Sequence, residues 1–137
     1  MVGPIILLVD DNEDDVFIME RAFRQSGLAG IMHVVTNGDD AVRYLSGEGG
    51  FADRNRFPFP QLVFLDLKMP GKDGFDVLSW LQGQPGLKLT VAVLSSSLEE
   101  RDMRRARELG ADCYLIKPPT TSMLLSCWNQ FDLARNN

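Results

Sequence analysis

The chain has 137 residues, 45% of them hydrophobic and 24% charged, with a formal net charge of −5. That length suits one domain able to bury about two-thirds of its unfolded surface without a disulfide framework or structural metal. The acidic balance argues against a nucleic-acid backbone as partner, and the longest apolar run, Ile5–Val9, is far short of the roughly 20 residues of a membrane span.

Ile5–Val9 reads as a first strand. No basic region precedes it and Asp10-Asp11 cut it off, so no signal peptide or membrane partner is expected and the protein is expected in the cytoplasm. Asn12 or Glu13 then opens a helix with Asp14 and Asp15 near its N-terminus, where the helix dipole favours acids. Val16, Met19 and Phe23 mark its apolar face, and Ser26-Gly27 ends it. Ile31–Val35 is a second strand, and Asn37 caps a helix carrying Ala41, Val42 and Leu45. Residues 46–61 have turn residues, three phenylalanines and two prolines but no period, and read as a long loop pinned by its Phe side chains.

Leu62–Asp66 is the third strand, and Phe75, Leu78 and Leu81 face the core from the helix after it. Gln84-Pro85-Gly86 is a turn before the fourth strand, Thr90–Leu94. Ser97 with Glu100 is expected to form a capping box for a helix whose inner face carries Met103, Ala106 and Leu109 and which Gly110 stops. Glu99, Glu100, Arg101, Asp102, Arg104, Arg105, Arg107 and Glu108 are expected on its solvated face. Cys113–Ile116 is the fifth strand, and a last helix runs from about Thr120 to Leu133, leaving only Ala134–Asn137 beyond it. Cys113 and Cys127 match no zinc or disulfide pattern and are expected as reduced packing residues. The whole reads as one α/β domain, 1–137, with a five-stranded parallel doubly wound sheet and five helices and no output domain.

Four of the strands stop at a different reactive group: Asp10-Asp11, Asp66, Ser95 and Lys117-Pro118. Ligands of such sheets bind beyond the carboxyl ends of the strands, at the crevice where the connections reverse. With the first and third strands as central neighbours, Asp10, Asp11 and Asp66 look into that crevice. Three close carboxylates raise the pKa of at least one of them unless a cation intervenes. Mg²⁺ suits the need, since it takes one or two carboxylates, keeps waters and accepts a phosphoryl oxygen. Lys117 adds a fixed positive charge and Ser95 a hydroxyl, which together suit phosphoryl transfer to a carboxylate nucleophile.

Asp10-Asp11, Asp66 followed by Met69-Pro70 and Gly74, Ser95 and Lys117-Pro118 together resemble the receiver domain of two-component response regulators, over nearly the whole chain. The resemblance implies the flavodoxin-like strand order 2-1-3-4-5, Asp66 as phosphoacceptor and Mg²⁺ as cofactor. It also implies Asp11, Asp66 and the Lys68 backbone carbonyl as metal ligands, with Asp10 acting through a metal-bound water. Ser95 becomes the switch hydroxyl, 22 residues before Lys117 in a Ser95-Ser96-Ser97 run, and Tyr114 the switch aromatic. The phosphodonor would be the phosphohistidine of a sensor histidine kinase or a histidine phosphotransfer protein. The long loop, Lys72-Asp73-Gly74 and the 112–118 segment resemble stand-alone regulators paired with bacterial phytochromes. Lys68, two residues after the phosphoacceptor, departs from the polar neutral or apolar residue of many relatives and is expected to affect acyl-phosphate lifetime.

Other readings fit less well. A dehalogenase-type phosphohydrolase expects a second Asp where Lys68 stands, and flavin binding expects a hydroxyl- and Gly-rich loop where Asp10-Asp11-Asn12 stands. A degenerate receiver that binds partners without phosphorylation would not need the acids and lysine intact. His33 is the one histidine, so a His-based triad is excluded, and Gly47–Gly50 lacks the Lys-Ser/Thr of a phosphate loop. A homodimer through the fourth helix, fifth strand and last helix is a further expectation, with Trp128 placed to reach a partner.

Overall fold

The structure, a computed structural model, describes residues 4–136, with side chains as far as Asp132. Five parallel strands lie in the order β2-β1-β3-β4-β5. They are β1 (Ile5–Val9), β2 (Ile31–Val35), β3 (Leu62–Asp66), β4 (Thr90–Ser95) and β5 (Cys113–Ile116). Between and after them run α1 (Glu13–Gln25), α2 (Gly38–Ser46), α3 (Gly74–Gln82), α4 (Glu100–Glu108) and α5 (Thr121–Asn136). This is the flavodoxin-like arrangement expected.

Alternation along the central strands divides the core in two, because successive strand residues point to opposite faces. Leu7, Val9, Val63, Leu65, Val91 and Val93 pack with Tyr44 and Leu45 of α2 and Phe75, Val77 and Leu78 of α3. Ile6, Leu8, Leu62, Phe64, Ala92 and Leu94 pack with Met19 and Phe23 of α1 and Leu124, Cys127 and Phe131 of α5. Both faces are covered, so β3 is buried along its length and reads as a continuous apolar run. The order in which strands are added to the sheet reverses between β1 and β3, which leaves the crevice at their carboxyl ends.

Helix starts are set by short side chains. Asn12 accepts from Asp15 N, Asn37 from Asp40 N, and Asp73 and Asp76 form a reciprocal capping box on α3. The box expected from Ser97 and Glu100 is absent. The N-cap of α4 is Glu99, without a side-chain cap bond. Ser97 lies two residues earlier, where its hydroxyl accepts from Glu99 N and donates to Asp102 Oδ2 at 2.7 Å. Asp102, expected on the solvated face, is therefore buried, and Met103 is only half-buried.

The long loop contains a short 3₁₀ turn, Gly49–Phe51, and its Phe51, Phe57 and Phe59 pack on the core as expected. Arg54 ties the loop down by donating to the carbonyls of Tyr44, Leu45 and Phe57. The last helix continues through Asn136 instead of ending at Leu133; Asn137 lies outside the described residues. Trp128 is half-buried against Phe23 and Phe131. Among the described residues, no helix is long and apolar enough to cross a membrane.

Candidate functional site

Strand register assembles the site. Val9 pairs with Leu65, so the next residues, Asp10 and Asp66, emerge side by side. Asp66 pairs with Leu94 and Ser95 with Ile116, which brings Lys117 to the same edge. A ligand oxygen from each of Asp10, Asp11 and Asp66 lies within 4.8 Å of the others. These residues line a cavity of about 460 Å³ together with Asp15, Lys68, Ser96 and Lys117. Gly74, at the start of α3, backs Asp66 so closely that a Cβ there would collide with the Asp66 carbonyl.

The Lys117 ammonium sits 2.8 Å from Asp10 Oδ2, 3.0 Å from Asp15 Oδ2 and 3.3 Å from Asp66 Oδ2. Burial opposes its charge, but the bonds to Asp10 and Asp15 and the field of Asp66 outweigh that and hold its pKa above the usual lysine range. Asp66 behaves oppositely. Burial pushes its carboxyl up to about 6; Lys117 pulls against this, and the neighbouring Asp10 charge adds to the rise. The rise expected for the cluster is thus present, with desolvation ahead of charge repulsion.

The donor set consists of carboxylate oxygens, which suits a hard divalent cation. Three acids in the cluster face one ammonium, so the site carries uncompensated negative charge that such a cation would neutralise. Asp10 has one oxygen on Lys117 and the other on Asn12 N, whereas Asp11 is exposed and open to a ligand. The Lys68 backbone N–H donates to Asp66 Oδ1 at 3.3 Å.

Ser95 is fully buried at the end of β4 and its hydroxyl accepts from Ser97 N, while the exposed Ser96 lines the cavity wall. Tyr114 stands away from the acids, on the α4 side of β5, with its hydroxyl donating to Ser97 O at 3.1 Å. Two acids were missed from the sequence. From the sequence Asp15 reads only as a helix-start acid, and nothing in its spacing announces its bond to Lys117. Asp102 reads as solvated because the charge-rich α4 sequence gives no sign of which charge turns inward.

Comparison with known proteins agrees with this geometry. The chain is 38% identical over 116 residues to the probable methanogenesis regulatory protein FilR2 of Methanothrix harundinacea, covering 83% of this chain and 72% of that protein. It is 33% identical over 114 residues to the response regulator Rcp1 of Synechocystis, covering 82% of this chain and 76% of Rcp1. The Mn²⁺-bound structure of Rcp1 superposes with a TM-score of 0.77 over 90% of this chain and 88% of that one. The bacteriophytochrome response regulator AtBRR superposes with a TM-score of 0.82 at 32% identity, over 94% of this chain and 92% of AtBRR. The response regulator receiver domain profile matches residues 6–128. That span takes in all five strands but for Ile5 and every acid of the cavity, and the chain belongs to the response regulator receiver domains of two-component signalling.

Proposed function

We propose that Asp66 accepts a phosphoryl group from the phosphohistidine of a sensor histidine kinase or histidine phosphotransfer protein, and that the resulting acyl phosphate switches protein–protein contacts or passes the group on. One observation carries this reading: the Lys117 ammonium reaches Asp10, Asp15 and Asp66 at once, at the mouth of an open cavity. A carboxylate oxygen of Asp66 attacks phosphorus, the N–P bond of the donor breaks, and the imidazole leaves with the electron pair and takes up a proton. Lys117 stays protonated throughout and stabilises charge on the transferred oxygens. Hydrolysis of the acyl phosphate returns the site to its starting state, so the chain acts on itself and not as an enzyme on other substrates.

Mg²⁺ is the proposed cofactor, held by Asp11, Asp66 and the Lys68 carbonyl, with Asp10 reaching it through a water. When bound it supplies neutralisation of phosphoryl oxygen charge. That Rcp1 has a Mn²⁺-bound form supports a divalent ion as cofactor. Ser95 is the proposed switch hydroxyl and Tyr114 the switch aromatic; Ser97 already links them, through its N–H to Ser95 Oγ and its carbonyl to Tyr114. A phytochrome-type kinase is the proposed donor protein, on the likeness to AtBRR and Rcp1. Self-association through α4, β5 and α5 belongs to the same reading, supported by exposed charges such as Arg104 and Arg107 on α4.

The decisive experiment incubates the protein with Mg²⁺ and acetyl phosphate and follows intact mass. One added phosphoryl group is expected, absent in Asp66→Asn and without Mg²⁺. Failure of the wild type to gain it, or its persistence in Asp66→Asn, would overturn the assignment. Ser95→Ala against Ser96→Ala separates the two hydroxyls, since only the first should uncouple phosphorylation from a change at Tyr114.

A further inference from the structure

Asp102 is the one buried acid among the described residues that lies outside the Asp10–Asp66 cluster. It sits in the first turn of α4, 7% exposed. A carboxylate removed from water needs hydrogen bonds or a cation to remain charged. Asp102 has both: the Ser97 hydroxyl at 2.7 Å and the Lys68 ammonium at 3.4 Å. The Ser97 bond chiefly holds its carboxyl below the usual range; burial opposes this and Lys68 assists.

Lys68 therefore has a place at two sites. Its backbone N–H is on Asp66 Oδ1 and its side chain lines the cavity, yet its ammonium rests on α4. Its side chain is more than half exposed and passes over the Phe75 ring, so the stem is free to swing. The Asp102 end is not isolated either. Ser97 bonds Asp102 through its hydroxyl, Ser95 through its N–H and Tyr114 through its carbonyl.

We infer that Lys68 is an electrostatic latch, holding the first turn of α4 in place through Asp102 until a phosphoryl group on Asp66 draws the ammonium away. The inference rests on Asp66 being the phosphoacceptor. Turning the Asp66 carboxylate into an acyl phosphate adds about one further negative charge and extra acceptor oxygens beside Lys68, more than Mg²⁺ and Lys117 alone can satisfy, and a lysine ammonium on its flexible stem goes to them. Its departure leaves Asp102 buried with the Ser97 hydroxyl and only the weaker field of Arg101, which disfavours the docked first turn and loosens the Ser97 hub beside Tyr114. Lys68 is thus a positioning residue that links acceptor and α4, and takes no part in bond making.

Hydrogen exchange at residues 97–103, with and without beryllofluoride plus Mg²⁺, tests this. In wild type, exchange there should rise when the phosphoryl analogue binds. In Lys68→Ala it should already be about two- to fivefold faster without the analogue, the scale of a part-exposed ion pair, and should rise little further on its addition. Lys68→Arg should restore the wild-type response, and Asp102→Asn should match Lys68→Ala while still binding the analogue. Equal exchange in wild type and Lys68→Ala, or an undiminished rise in Lys68→Ala, would overturn the latch. If wild type gains protection at 66–69 but none of the change at 97–103, the latch alone fails. If it gains no protection at 66–69 at all, the acceptor assignment fails and the latch with it.

Discussion

Lys117 is shared among Asp10, Asp15 and Asp66, and its side chain is only 12% exposed. Removing it leaves Asp10, 1% exposed, without its cation. Lys117→Ala should lower unfolding free energy by roughly 3 kcal/mol at neutral pH, the usual cost of stripping one partner from a buried pair; urea titration measures this, and a loss near zero would contradict it. Asp66 makes a second prediction. Its carboxyl is raised from an ordinary 3.8 to about 6, so the neutral form is favoured by folding. Its contribution to metal-free stability is complete below about pH 4 and lost as pH rises through about 6. The melting temperature of metal-free Asp66→Asn should therefore gain on wild type across that window, and added Mg²⁺ should narrow the gap. A gap that is flat with pH would show that burial does not penalise the Asp66 charge. Asp10, Asp66 and Lys117 were legible in the sequence because each directly follows or closes an apolar run, and Asp11 because it adjoins Asp10. Asp15 and Asp102 were not, because the facing of a helix acid depends on what lies opposite it in space.

Elements hold these groups through close backbone approaches. Gly74 begins α3 against the Asp66 carbonyl, and its bare Cα is what permits the contact. Gly74→Ala should cost about 1–3 kcal/mol and slow phosphoryl uptake, since relief of the clash must move either α3 or Asp66; a variant with wild-type stability and uptake would exclude this. Arg54 plays a different part. It caps the last carbonyls of α2 and packs over Tyr44 and Phe59, so that a long connection behaves as a fitted surface. Arg54→Ala should speed hydrogen exchange across residues 48–58 without changing uptake at Asp66, because none of its contacts touches the cavity. Strand and helix positions were readable from period and punctuation. The loop's three Phe anchors were readable too, but Arg54 was not, because its partners are backbone carbonyls that leave no trace in residue type. The start of α4 was misread because Ser97 and an acid do form a pair there, shifted from the helix cap to the turn before it.

At the scale of the molecule, alternation sorts the apolar residues of one sheet into two cores, and the parallel order sends the polar strand ends to one edge. That much follows from strand pattern and the rule for doubly wound sheets, which is why architecture and site were legible together. The coupling of Lys68, Asp102, Ser97 and Tyr114 was not, since it crosses between β3, α4 and β5 through individual side chains.

Lys117 and Asp10 stand 107 positions apart in the chain, yet meet at 2.8 Å. During synthesis Asp66 leaves the ribosome well before the lysine that must face it, and β5 is the edge strand that delivers that lysine. Under the proposed function, an unfinished chain, or one whose edge strand has come away, holds the acids without the ammonium that stabilises the transferred oxygens. On that reading the acceptor is fully equipped only once the last strand is seated.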